Sequence, residues 1–324
     1  PPKKYEDIVP FNFETDAWQS LWQELRDIFL FWIDKGVRIF RVDNPHTKSF
    51  RFWDWCIGSL KEEYPDVIFL AEAFTRPKIM YRLAKGGFTQ SYTYFTWRNT
   101  KYELTEYVRE LTQTKVREFM RPNFWPNTPD ILSEYLQYGG RPAFIARYVL
   151  AATLSSNCGI YGPAYELCVA EAIPGREEYA GSEKYEIKHW DLDREWSLRD
   201  VITRVNTIRR QHRALQETNN ITFCPVDNDM LIAYIKTAGD AEGSILTVVN
   251  LDPYHTQSGW LTLPLEKLGL NEHQPYYASD LISNDRYMWT GSRNFIMLNP
   301  SQIPAHILRV HTHIKRENDF DYFM

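Results

Sequence analysis

Cysteine is scarce. Cys56, Cys158, Cys168 and Cys224 are the four in 324 residues, and none makes a C-x-x-C or a metal-ligand spacing. That argues against a disulfide scaffold or a metal site and suits a reducing cytoplasm. No apolar run approaches the length that a membrane span needs, so the sequence reads as a soluble protein without a membrane partner. Lys and Arg number 37 against 42 Asp and Glu, a net charge of −5 with no basic block. A nucleic-acid surface is therefore not expected, although a local cationic pocket stays open. No Gly-x-Gly-x-x-Gly follows any predicted strand, which weakens a nucleotide-binding reading. Repeats and low-complexity tracts are absent. There is no signal peptide, and Pro1-Pro2-Lys3-Lys4 stands where a methionine would, so a piece of something longer is expected.

What is present points to small-molecule chemistry on a mixed α/β scaffold. Hydrophobic residues make up 44% and aromatics 15%, with 11 Trp and 20 Tyr. Most of these rings belong in a rich core, and some suit stacking on the apolar faces of sugars. The length allows one large domain and one small one. From Asp16, the residues Trp18, Leu21, Trp22, Leu25, Ile28, Phe29, Trp32 and Ile33 recur at three and four, one face of a helix that Gly36 ends. Val37 to Val42 reads as a strand, Ser49 to Glu63 as a helix stopped by Tyr64-Pro65, and Val67 to Ala71 as a second strand.

The alternation continues. Lys78 to Lys85 is a short helix, Gln90 to Thr96 a strand, Thr100 to Met120 a long helix with a threonine cap, and Asn123 to Trp125 a strand. Ala143 to Ser155 is an apolar helix, Gly159 to Gly162 a strand, and Ser197 to Leu215 a final helix with a basic last turn. Such an order makes a parallel sheet, with apolar strands buried on both faces. A barrel or a doubly wound sheet would both fit. After about residue 216 short alternating runs such as Leu231–Ile235, Ile245–Val249 and His306–Val310 predict an antiparallel β domain to about 310. Residues 311–324 read as a loosely held polar tail.

Three acids follow three of these strands: Asp43, Glu72 and Asp130. In a barrel, the C-terminal strand ends converge on one mouth, where catalytic groups lie. Arg41 and Asp43, two apart on a strand, point to one side, so a guanidinium beside the carboxylate would keep it ionised and directed. It could serve as a nucleophile, or the two could simply be an ion pair capping a strand.

Arg41-Val42-Asp43, Ala71-Glu72-Ala73 and the segment Asn127-Thr128-Pro129-Asp130 resemble, in order and spacing, the motifs of glycoside hydrolase family 13, the α-amylase superfamily. The wording Phe40-Arg41-Val42-Asp43-Asn44-Pro45-His46-Thr47-Lys48 is similar to a maltosyltransferase branch of that family. Thr128-Pro129 stands where ordinary amylases show Asn-His before the third acid, so a sugar-touching histidine is absent, which tells against a plain amylase. The resemblance implies an α/β fold: an incomplete (β/α)8 TIM barrel, strands four to eight, over residues 1–215, followed by a C-terminal antiparallel β-sandwich over 216–310. Strands one to three and the N-terminal domains would then come from the missing N-terminal half, because a barrel lacking three strands leaves open apolar edges.

By the same resemblance Asp43 is the nucleophile, Glu72 the general acid/base and Asp130 the acid that shares the charge of an oxocarbenium-like transition state. Glu72, leaving an apolar strand, should have its pKa raised by desolvation. Lys3, Tyr5 and Asn44 are candidate partners of an anionic leaving group, with Arg41 beside them. Lys184 and Tyr185, within Ser182-Glu183-Lys184-Tyr185, look like contacts to the sugar, and His46 is left unassigned. The implied chemistry moves maltosyl units from maltose 1-phosphate to α-1,4-glucan, with phosphate released and no cofactor or metal. The alternatives are a hydrolase of the same superfamily, and a truncated barrel that only binds glucan. A homodimer is implied for the full-length enzyme.

Overall fold

The structure, a computed structural model, describes residues 9–183 and 186–311. Lys3, Tyr5, Lys184, Tyr185 and the tail from 312 onward lie outside the described residues. The apolar three-and-four spacing near the start becomes helix α1 (Trp18–Asp34). Gly36 stops it in the left-handed region (φ +94°), and the Gly36 and Val37 N–H groups turn back to the carbonyls of Ile33 and Trp32 at 2.9 and 3.0 Å. Only a residue without a Cβ takes that φ cheaply, so the strand that follows starts in a fixed direction.

Strands β1 (Ile39–Asp43), β2 (Ile68–Glu72), β3 (Gln90–Tyr92), β4 (Pro122–Phe124) and β5 (Asn157–Cys158) form one sheet in that order. The first four pair in parallel. Between them run α2 (Phe50–Glu63), α3 (Pro77–Lys85), α4 (Lys101–Gln113) and α5 (Glu134–Leu154), then α6 (Gly162–Glu166) and α7 (Arg199–Gln211). Thereafter β6 (Ile221–Cys224), β7 (Leu231–Ala238), β8 (Asp240–Asn250), β10 (Pro275–Asp280), β11 (Arg286–Thr290) and β13 (Ala305–His311) build an antiparallel sheet in the order β11-β10-β13-β8-β7-β6, while β9 (Gln257–Thr262) pairs with β12 (Arg293–Leu298). Among the described residues no helix is long and apolar enough to cross a membrane.

Four elements depart from the sequence reading. Strand β3 ends at Tyr92 because a 3-10 turn, Tyr94–Trp97, takes over. Helix α4 opens on a reciprocal cap: the Glu103 N–H donates to Thr100 Oγ1 at 3.2 Å while Glu103 Oε2 accepts from the Asn99 and Thr100 N–H groups at 3.1 Å each. It stops at Gln113 rather than Met120, since the Thr114 hydroxyl caps a separate turn over Lys115–Glu118. Helix α5 starts nine residues earlier than expected, at Glu134, with its kink at Gly140 (φ +59°) two residues before Pro142. Gly159–Gly162 is not a strand: pairing ends at Cys158, and the Trp125 ring fills the space that a Cβ on Gly159 would need.

By contacts the chain divides into two compact units, one running to Tyr94 with Thr114–Asn123, the other comprising Phe95–Gln113 and the chain from Phe124 onward. The core of the first packs Ile33, Phe52, Ile57, Leu60, Phe69 and Leu83, all buried, with Phe29 edge-on to Phe40 and Phe69 at 5.2 and 5.5 Å. Its first strand is not buried on both faces as expected. In β1 the alternate residues Ile39, Arg41 and Asp43 are exposed, and α1 leaves Ile28, Phe31 and Trp32 about half exposed (50, 56 and 49%). The second unit holds the β-domain core, where Leu231, Ala233, Ile235, Leu246 and Val248 pack on one face of strands whose other face, with Ile232, Tyr234, Ile245 and Val249, is buried too.

Candidate active site

Parallel pairing sets the register that matters: Asp43 lies directly opposite Glu72 at the C-terminal ends of β1 and β2. Partners in register point to the same face, about 4.8 Å apart between strands. The two carboxyl groups therefore face one another but differ in burial, Asp43 being exposed. Glu72 is 5% exposed, and burial, chiefly, pushes its pKa up to about 7, with Arg41 pulling down and Asp43 adding to the rise.

The ion pair differs from the one expected. Arg41 points its Nη2 at Glu72 Oε1, 2.8 Å away, across the strands. Burial draws the guanidinium down, but Glu72, Asp43 and Tyr92 outweigh it and Arg41 ends above its ordinary value. The short side chain of Asp43 is met instead by its neighbour: Asn44 Nδ2 donates to Asp43 Oδ1 at 2.9 Å. Asn44 sits in the left-handed region (φ 45°, ψ 50°), which asparagine tolerates better than most residues. Its N–H donates to the Glu72 carbonyl at 3.1 Å, extending the ladder by one rung past the carboxylates. A 3-10 turn, Pro45–Thr47, then carries the chain away, tied down by Trp53 Nε1 donating to the Pro45 carbonyl at 3.0 Å. His46 sits on this turn, its pKa lowered by burial and by Lys48 against the pull of Asp43. A neutral imidazole follows.

Tyr92 is the residue that sequence reasoning missed. It ends β3 and is 5% exposed. Burial, chiefly, pushes the phenol up to about 12 against Arg41, so it stays neutral. Since Leu70 and Ala71 pair with Gln90 and Ser91, Tyr92 follows on the rung of Glu72. The available signal was the strand end itself, obscured because the apolar run was read through to Thr96.

In the other unit, Asp130 lies in the tight turn Thr128-Pro129-Asp130-Ile131. The N–H groups of Thr128 and Ile131 donate to each other's carbonyls at 3.1 and 3.2 Å, and Thr128 Oγ1 accepts from the Asp130 N–H at 3.2 Å. Pro129 presets the turn by fixing φ. Asn127 is fully buried and pins this loop: Nδ2 donates to the Tyr179 hydroxyl at 2.7 Å, and Oδ1 accepts from the Tyr161 N–H at 2.9 Å. Next to the undescribed Lys184, Glu183 accepts from the Tyr161 hydroxyl and from Trp190 Nε1, each at 2.9 Å. These bonds lower its pKa, that from Trp190 most.

Solved α-amylase structures share this fold. An Anoxybacillus α-amylase superimposes with a TM-score of 0.71 at 14% identity, over 94% of this chain and 65% of that one. A Geobacillus thermoleovorans α-amylase complexed with acarbose matches equally, at 0.71 and 13%, over 93% and 65%. Sequence relatives narrow this. A maltosyltransferase named alpha-1,4-glucan:maltose-1-phosphate maltosyltransferase from Chlorobaculum tepidum is 61% identical over 316 residues, 96% of this chain and 47% of the relative. One of the same name from Methylacidiphilum infernorum is 55% identical over 96% of this chain and 46% of its own length. The family described as GLGE, C-terminal, matches residues 223–310. The chain is therefore similar in sequence to the C-terminal half of these maltosyltransferases and shares its fold with the α-amylases. It spans about half the length of the curated relatives it matches.

Proposed function

We propose that this chain carries the catalytic carboxylates of a retaining transferase that moves maltosyl units from maltose 1-phosphate to the non-reducing end of α-1,4-glucan. The observation that carries the reading is the Asp43–Glu72 pair: one carboxyl exposed, the other buried with a pKa near 7. Retention needs two carboxyl groups close together on one face, and the register of β1 and β2 brings Asp43 and Glu72 to facing positions at their strand ends.

In the first step an Asp43 oxygen bonds to the anomeric carbon as the bond from that carbon to the phosphate oxygen breaks, and phosphate leaves with the electron pair. Glu72 donates its proton to that oxygen and is left as the carboxylate. In the second step the 4-hydroxyl of the acceptor attacks the same carbon, Glu72 removes its proton, and the Asp43 carboxylate leaves. Two inversions give net retention. Asp130 would share the positive charge of both transition states, and Asn44, with Lys3, Tyr5 and Arg41, would hold the donor's phosphate end. Lys184 and Tyr185 would contact the maltosyl unit.

The domain reading belongs to the same proposal. Residues 1–215 supply strands four to eight of the barrel, 216–310 the β-sandwich, and 311–324 a tail. A strand order without reversal supports a barrel segment over a doubly wound sheet, whose order reverses at a switch point. The N-terminal half, supplying the first three strands, would cover the exposed residues of β1 and α1. Incubating the chain with maltose 1-phosphate and a maltooligosaccharide, alone and joined to that half, tests the reading. Phosphate release with acceptor growth is expected from the joined protein. Free maltose released without acceptor growth would make it a hydrolase, and inactivity of the joined protein would refute the proposal.

A further inference from the structure

Resting on the reading of Lys184 and Tyr185 as contacts to the maltosyl unit, we propose that Glu183 is a positioning residue that fastens the segment around them to Tyr161. The Glu183 carboxylate is met from two sides: the Tyr161 hydroxyl donates to Oε2 and Trp190 Nε1 donates to Oε1, each at 2.9 Å. The Glu183 N–H donates back to the Tyr161 hydroxyl at 3.3 Å. One phenol thus holds both the backbone and the side chain of this residue, and a hydroxyl has the donor and the lone pairs for both bonds. Trp190, seven residues further along the chain, closes the segment on itself. Lys188 adds a second closure, its ammonium donating to the Gly181 carbonyl and lying 5.3 Å from the Trp190 ring centroid.

Tyr161 is itself fixed. Asn127, fully buried, accepts from the Tyr161 N–H at 2.9 Å and donates to its carbonyl at 3.4 Å, and the Tyr179 ring lies 5.6 Å from the Tyr161 ring. The same asparagine immediately precedes the turn that presents Asp130, so Glu183 and Asp130 take their places from one buried amide. Glu183 is exposed, and contacts of an exposed side chain add little to global stability. Their effect is local: they hold in advance a segment that a bound sugar would otherwise have to order, and that ordering is subtracted from affinity. A latch of this kind acts on binding of the donor and leaves the Asp43–Glu72 chemistry alone.

Glu183→Ala removes both acceptors, and Tyr161→Phe removes the hydroxyl while keeping the ring. Glu183→Gln keeps an acceptor for Trp190 and a donor for the Tyr161 hydroxyl. In the joined, active protein Glu183→Ala and Tyr161→Phe should each raise KM for maltose 1-phosphate about tenfold with kcat unchanged. The double variant should be no worse than either, and Glu183→Gln should stay near wild type. Without substrate, amide exchange across residues 181–190 should quicken in the first two variants and not in Glu183→Gln. An unchanged KM or unchanged exchange in Glu183→Ala, or additive effects of the two substitutions, overturns the proposal. So does a KM effect of Glu183→Ala that Tyr161→Phe fails to reproduce, which would make Glu183 a direct sugar contact. A fall in kcat at constant KM, the mark of a general structural loss, overturns it as well. Amide exchange needs no turnover, so it decides the latch even if the joined wild-type protein transfers no maltosyl unit.

Discussion

Replacing Glu72 by Gln should change how the stability of the protein depends on pH. In the folded state the Glu72 carboxyl titrates at about 7 against an ordinary value of 4.5, chiefly because burial penalises its charge. Between those values the folded chain holds a proton that the unfolded chain has lost. Stability contributed by the protonated carboxyl is therefore fully present below about 4.5 and is lost as pH rises through about 7. At about 1.4 kcal/mol per unit, the span from 4.5 to about 7 amounts to roughly 3 kcal/mol. The amide in Glu72→Gln has the same shape and no titration. Urea unfolding midpoints of wild type and variant, measured from pH 4.5 to 8.5, should diverge: the variant gains about 3 kcal/mol relative to wild type across the range. Carboxylates remote from Glu72 are common to both proteins and cancel in the difference. Parallel curves would refute the reasoning, because they would mean that Glu72 folds with its ordinary proton affinity.

Three further outcomes follow from the same structure. In the joined protein Glu72→Gln should lower kcat for maltosyl transfer by about 10²–10⁴-fold, read as phosphate release, while Asp43→Asn should abolish formation of the glycosyl intermediate. Arg147 is fully buried and donates to the Arg98 and Phe95 carbonyls at 2.6 and 2.5 Å, with its guanidinium 3.9 Å from the Phe95 ring centroid. Arg147→Met removes both buried bonds and should destabilise by about 1–3 kcal/mol, as measured by chemical unfolding. Thr100→Ala breaks the α4 cap and should cost about 1 kcal/mol, visible as faster amide exchange at Asn99–Glu103 with distant amides unchanged.

Much of the site was legible before any coordinates. Asp43 and Glu72 stand at the ends of apolar runs, and a strand end is fixed by where the apolar residues stop. Desolvation of Glu72 followed from the same pattern. The partner of Arg41 did not. Glu72 stands opposite Asp43 and diagonally across the ladder from Arg41, a span that a long guanidinium arm covers, and it is this buried carboxyl that the guanidinium meets. Asn127 was read within a motif, whereas its full burial against Tyr161 and Tyr179 makes it the anchor of the loop that presents Asp130.

The sequence by itself determined which elements form and the order in which they alternate, because helix and strand periods and the Gly36 stop are local properties of the chain. Only the tertiary structure decided which carboxyl is buried and which one the Arg41 guanidinium meets. Register between β1, β2 and β3 set Asp43 opposite Glu72, carried Tyr92 to the rung beside them, and buried one carboxyl while leaving the other open. Those facts depend on the separation of strands that are distant along the chain, and no periodicity within one strand encodes them.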